Sequence, residues 1–310
     1  MERILITGDC GLIGKGLAQR LRAIGHDVIG YDIARAVPRD ILHAATLDKA
    51  AAACTGIVHL AAVSRVLHGQ RNPGLCREVN VQGTRNVLSA AARAGRKPPW
   101  VLYASSREVY GQPTTLPVRE SAPLRPVNAY ARSKVSAERL VLAARSELAV
   151  KTAVVRFSGV YGSVSDHRDR VIPAFARLAA SGGTLFVEGD QTLLDFTYVD
   201  DVVTALVRIV DLMSGGEAVP TMHLVSGQAI TLLELATLAT KVTGKGRVVV
   251  TEPRRFDVTA FVGDPTLAHR VLGWTAQTSL ADGMRMLITL FQQEQQASSP
   301  LSGELPRAVG

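Results

Sequence analysis

Tyr130 and Lys134 stand at i and i+4 in YARSK (130–134), so a helix there would put a phenol and an ammonium on one face. A cation beside a phenol favours the phenolate, and Lys134 together with the positive charge of an oxidised nicotinamide is expected to pull the Tyr130 pKa down from its ordinary ~10 toward neutrality. A phenol tuned in this way takes the proton from a substrate hydroxyl near neutral pH. Upstream, YASSREVYG (103–111) reads as a buried strand that runs into polar residues. Ser106 falls at the end of that strand, where its hydroxyl shares the hydrogen bond of the reacting group and steadies a developing ketone. Glu108 has two open readings. It is a base for a carbon made acidic by a neighbouring ketone, or it is the ion-pair partner of Arg107. A YxxxK pair alone is common in amphipathic helices; its place after SSREVYG gives it weight.

A second constellation binds rather than reacts. TGDCGLIG (7–14) sets Gly8, Gly11 and Gly14, with Leu12 and Ile13 before the last, directly after an apolar run and at the start of a helical pattern. Glycines there let the backbone turn tightly and approach a pyrophosphate, which then sits on the helix N-terminus. The spacing is GxxGxxG rather than GxGxxG. An acid, Asp32 in GYDIA, ends the next apolar run. Its carboxylate accepts both adenosine ribose hydroxyls and repels a 2′-phosphate, which points to NAD over NADP. Arg35 is close enough in sequence to soften that exclusion.

These residues need a frame. Short apolar runs at Arg3–Thr7, Asp27–Tyr31, 56–61, 100–104 and Thr152–Phe157 alternate with helical spacing such as 79–93 and 129–145. Strands of this kind between helices predict βαβ units: a Rossmann-type doubly wound parallel sheet over residues 1–157. After 157 the rhythm breaks. Residues 158–291 are expected to form mainly a smaller, discontinuous C-terminal substrate domain, with segments such as 195–212 returning to the first domain. The low-complexity tail, 292–310, is expected to fray.

Composition excludes several classes. The chain has 310 residues, 47% hydrophobic and 20% charged, with a net charge of +8. Its arginines are scattered, without a basic run, which fits an anionic small-molecule substrate better than a nucleic acid. No apolar run reaches the ~18 residues of a membrane span. Cys10, Cys54 and Cys76 form no CxxC pair, which fits reduced thiols and no metal site. Without a signal-like start, a cytoplasmic location is expected.

GxxGxxG, HLAA (59–62), VNVQGTRNVL (79–88), SSREVYG and YxxxK follow one another in order. Together they resemble the extended short-chain dehydrogenase/reductase family, with nucleotide-sugar epimerases and dehydratases as the nearest branch. The similarity runs to about residue 291 through DFTYVDDVV (195–203) and LGW (272–274). The resemblance implies bound NAD, a nucleotide-sugar substrate and a homodimer. It implies that Asp40 and Ile41 flank the adenine, that Leu60, Ala61, Ala62 and Asn80 line the cofactor channel with Ser105, and that Lys134 also holds the nicotinamide ribose. Glu at position 108 resembles the eliminating and decarboxylating branches. Arg107, however, stands where the dehydratases carry an acidic proton donor, and it is a candidate to bind a carboxylate or phosphate of the substrate or else to pair with Glu108. Gly159 and Leu194 replace an Asn and an Arg that contact the sugar diphosphate in the 4-epimerases. Arg168, Arg170, Arg254 and Arg255 are the candidates to compensate, because arginine suits phosphate oxygens. The leading expectation is an NAD-dependent 4-epimerase. The alternatives are a dehydratase or decarboxylase using Glu108, an alcohol or ketone oxidoreductase on a non-nucleotide substrate, and a non-catalytic dinucleotide-binding regulator. An intact Ser106/Tyr130/Lys134 set argues against the last.

Overall fold

The computed structural model describes residues 1–35, 37, 39–252 and 258–298. The five apolar runs form β1 (Arg3–Thr7), β2 (Asp27–Tyr31), β3 (Gly56–His59), β4 (Trp100–Ser106) and β5 (Thr152–Phe157). Beyond them come β6 (Gly159–Tyr161), β7 (Thr184–Glu188) and β8 (Leu193–Tyr198). Strand β9 (Met222–Leu224) then returns to pair with β5, completing a six-stranded parallel sheet in the order β2-β1-β3-β4-β5-β9.

Alternation along β1 shows why this sheet is covered on both sides. Ile4 and Ile6 pack with Leu17, Leu21, Val203 and Leu206, from the helices Leu12–Ala23 and Val199–Ser214. Leu5 points the other way, to Leu47, Val87, Leu88 and Val141, from the helices Ala44–Ala52, Gly83–Arg93 and Ala129–Glu147. Each such fully buried aliphatic contributes about 1.5–3 kcal/mol. The chain leaves β1 for β2 on one side and continues from β3 on the other. That reversal opens a crevice at the C-terminal ends of β1 and β3.

A second core gathers Tyr161, Phe175, Leu185, Phe196, Leu235 and Leu287. It lies among β8, flanked by β6 and by β10 (Ala229–Thr231), a parallel pair of β7 with β11 (Arg247–Thr251), and the helices Val171–Ala180, Leu232–Thr243 and Leu280–Ser298. This unit differs from the expected 158–291 block in two places. β9 belongs to the large sheet, and Leu272 and Trp274 pack into its core, with Trp274 Nε1 donating to the Asp201 carbonyl at 2.9 Å. A three-residue strand is too short to show periodicity. Residues 292–298, at the start of the tail expected to fray, continue the helix Leu280–Ser298, as Gln, Glu and Ala are good helix formers. Residues 299–310 lie outside the described residues. No described helix is long and apolar enough to cross a membrane.

Candidate active site

A cleft of about 920 Å³ runs from the crevice between β1 and β3 to the face of the second core. Its floor is the glycine loop. Gly8 takes a positive φ of 76°, and a Cβ there would lie 2.7 Å from the Ala61 amide nitrogen. At Gly14 a Cβ would come within 2.2 Å of the Gly8 carbonyl oxygen. Both positions therefore need bare backbone. The helix Leu12–Ala23 starts at Gly11 with no side-chain cap, leaving its first N–H groups to face the cleft as an anion site.

Asp32 closes this end of the cleft. Its Oδ1 accepts from the Ala34 amide at 2.8 Å and its Oδ2 from the Cys10 amide at 3.1 Å, so the carboxylate ties β2 to the glycine loop. Leu12, Ile13, Asp40, Ile41, Leu60, Ala61, Ala62 and Ser105 also line the cleft. The Ser105 hydroxyl is buried and has no protein partner. A glycine cradle after β1, an acid after β2 and an orphaned hydroxyl at the end of β4 line one cleft and fit an extended dinucleotide. Asn80 departs from its expected place. It lies beneath the cleft wall, 1% exposed, where its amide bonds the Val63 N–H, the Val63 carbonyl and Ser133 Oγ.

The reactive cluster sits further along. β4 carries Ser105 and Ser106 to its end, and a 3₁₀ turn, Arg107–Tyr110, follows at once. Asn128 caps the helix Ala129–Glu147, its Oδ1 accepting from the Ala131 amide at 2.8 Å. The first turns of that helix bring the Tyr130 phenol beside Ser106, whose hydroxyl favours its ionised form. Lys134 Nζ donates to the Ala104 carbonyl at 2.8 Å and lies 5.9 Å from the Tyr130 ring centre. The spacing argument therefore assembles Ser106, Tyr130 and Lys134 as expected.

Their electrostatics differ from expectation. Burial pushes the Tyr130 phenol up to about 12, opposed by the Ser106 hydrogen bond and Arg170 and reinforced by Glu108. Burial lowers Lys134 to about 8. Desolvation outweighs the neighbouring cation, so the protein alone does not tune this phenol toward neutrality.

Glu108 is 5% exposed and both of its oxygens are engaged. Oε1 pairs with Arg107 Nη2 at 3.1 Å, and Oε2 accepts from Asn128 Nδ2 at 3.0 Å. Glu108 thus braces the residue that caps the Tyr130 helix. The Arg107 guanidinium also stands over the Phe261 ring, 5.8 Å from its centre.

On the substrate side, Arg170 lines the cleft, with Nη1 3.4 Å from Asp166 and Nη2 donating to Ser64 at 3.2 Å. Arg168 is exposed and outside the lining. Arg254 and Arg255 lie outside the described residues. Gly159 and Leu194 both face the cleft, and a Cβ at 159 would strike the Phe196 ring at 2.4 Å. An aromatic ring fills the space that an asparagine side chain would need.

Two features escaped the sequence reading. Arg65 forms an ion pair with Asp169, which with the Arg170–Ser64 bond joins the two sides of the cleft. Asp195, fully buried, accepts from the Ser226 amide and hydroxyl, the Gly227 amide and the Gly263 amide at 2.8–3.3 Å. It pins two loops against β8. The only sequence signal was an acid inside an apolar strand, DFTYV.

The NAD dependent epimerase/dehydratase family model matches residues 4–221. A UDP-glucose 4-epimerase of Mycolicibacterium smegmatis (strain ATCC 700084 / mc(2)155) is 31% identical over 317 residues, covering 95% of this chain and 100% of that protein. UDP-glucuronic acid decarboxylase 1 of Danio rerio is 28% identical over 319 residues, covering 94% and 73%. Among solved structures, MoeE5 in complex with UDP-glucose and NAD aligns with a TM-score of 0.87 at 28% identity, covering 95% of this chain and 99% of that one.

Proposed function

This chain belongs to the NAD dependent epimerase/dehydratase family, and from that premise we propose that it epimerises a nucleotide sugar at C4. The observation that carries the choice is the state of Glu108. With Oε1 on Arg107 and Oε2 on Asn128, its carboxylate is a bracing group rather than a free base for a C5 proton. The similarity to a UDP-glucose 4-epimerase over the whole of that protein supports the same reading.

NAD, when bound, supplies the hydride acceptor and the positive nicotinamide that the reaction needs. The protein's own groups handle the proton. Tyr130 takes it from the C4 hydroxyl, and the Ser106 hydroxyl, beside the same phenol, holds the substrate oxygen in line. Lys134, anchored on the Ala104 carbonyl, fixes a cation behind the phenol and would hold the nicotinamide ribose when NAD is bound. A cleft of about 920 Å³ leaves room for the ketosugar to present its other face.

The competing reading, elimination or decarboxylation, draws on the presence of Glu108 itself and on the decarboxylase relative. A panel of nucleotide sugars, followed by mass spectrometry and NMR, separates the outcomes. Epimerisation gives a product of unchanged mass, dehydration one that has lost water, and decarboxylation one that has lost carbon dioxide.

Glu108→Gln gives a sharper test. A bracing role predicts a loss of turnover below about tenfold, because the amide still accepts from Asn128. The product formed in D₂O then carries no deuterium at C5. Deuterium at C5, or a stalled ketosugar with reduced cofactor in the variant, would overturn the epimerase assignment.

A further inference from the structure

The phosphate-binding loop contains a carboxylate, Asp9, at the place where an anionic cofactor must approach. Its side chain is 5% exposed, and Arg35 reaches it from the turn after β2. Arg35 Nε meets Oδ1 at 3.1 Å and Nη2 meets Oδ2 at 2.5 Å, a two-pronged contact of the kind that guanidinium and carboxylate make best. The strand between them is built to admit the pair. A Cβ on Gly30 would lie 1.9 Å from Arg35 Nη2 and 2.2 Å from Asp9 Oδ2, so only glycine leaves the space.

The pair also borders the ribose site. A carboxylate oxygen of Asp9 lies within 4.8 Å of one on Asp32. Arg35, the cation that the sequence places nearest to a 2′-phosphate, is turned onto Asp9 and does not line the cleft. Arg39, the other arginine at this end, does line it, with Nη1 donating to the Gly30 carbonyl at 3.0 Å.

We propose that Asp9 is a positioning residue for cofactor choice, holding Arg35 off the adenosine ribose so that Asp32 alone meets the 2′ position. Arg35 in turn neutralises Asp9, which keeps a buried negative charge from repelling the pyrophosphate. The inference concerns the cofactor end of the cleft and stands or falls independently of the sugar chemistry.

Equilibrium titration of the full-length protein with NAD and with NADP tests it, using Asp9→Asn, Asp9→Gly, Arg35→Ala and the Asp9→Asn/Arg35→Ala double variant. Asp9→Asn, with NAD affinity as the internal control for an intact loop, is expected to shift the NADP:NAD affinity ratio toward NADP by at least about tenfold. Adding Arg35→Ala is expected to erase most of that shift, which a purely structural role for Asp9 does not require. Arg35→Ala alone is expected to weaken both cofactors, because Asp9 is left unpaired beside the pyrophosphate. A ratio within about twofold of wild type in both Asp9 variants, or a full shift that persists in the double variant, overturns the proposal. Loss of NAD binding in Asp9→Asn and Asp9→Gly alike also overturns it, since the pair would then serve the loop and not the choice.

Discussion

Tyr130→Phe is expected to lower turnover by about 10²–10⁴-fold, the usual cost of losing a general base, while leaving NAD affinity nearly unchanged. The substitution removes only the phenolic oxygen. The ring stays within the buried wall, and the Asn128 cap and the Lys134–Ala104 bond do not depend on that oxygen. The groups proposed to hold the cofactor, the glycine loop, Asp32 and Lys134, are not touched by the change. The kinetic signature is therefore a fall in kcat with an unaltered NAD titration. A phenylalanine variant that retains more than about a tenth of the wild-type rate would remove Tyr130 from the proton-transfer step. The wild-type pH profile bears on the same point. Burial holds the phenol up at about 12 in the protein alone, and the positive charge of an oxidised nicotinamide would act to bring it down.

Glu138→Ala is expected to destabilise the protein by about 3–5 kcal/mol, because it strips one partner from a buried ion pair. Arg156 donates through Nε to Glu138 Oε1 at 3.0 Å and through Nη2 to Oε2 at 2.7 Å, and the two side chains are 6% and 1% exposed. Arg156 Nη1 meets the Tyr110 hydroxyl at 2.6 Å and the Glu120 carbonyl at 2.9 Å, and Tyr110 lies 2.6 Å from His223 Nε2. Burial lowers His223 to about 4, which favours the neutral ring, and its Nε2 shares this hydrogen bond with the tyrosine hydroxyl. Removing Glu138 leaves a guanidinium charged and half-satisfied at the joint between β5, β9 and the Tyr130 helix. Urea unfolding reads the loss as a lower midpoint. Glu138→Ala/Arg156→Met, which removes both charges, is expected to recover much of it. A single variant that loses less than about 1 kcal/mol would show that water reaches Arg156.

The proton-transfer site was legible because its geometry is local. Tyr130 and Lys134 share a face wherever a helix forms, and Ser106 follows from a strand that ends where the polar residues begin. The glycine loop and Asp32 are readable for the same reason, as each occupies a fixed offset from a strand end. The buried place of Asn80 was not readable because it depends on Val63 and Ser133, which are distant in sequence. The burial that raises Tyr130 in the protein alone was not readable either, because desolvation is set by everything packed around a group.

The sequence by itself determined the parallel sheet, the glycine loop with its acid, and the shared helix face of Tyr130 and Lys134 with Ser106 at a strand end, since those follow from periodicities and offsets along the chain. Tertiary structure decided the rest. It turned Glu108 into the brace of a helix cap, set Arg35 on Asp9, joined Arg65 to Asp169 across the cleft and filled the space beside Gly159 with Phe196. Each of these depends on two segments far apart in the chain meeting at hydrogen-bond or van der Waals distance. Such contacts arise only when elements distant in sequence pack together, and no local pattern of residue types encodes them.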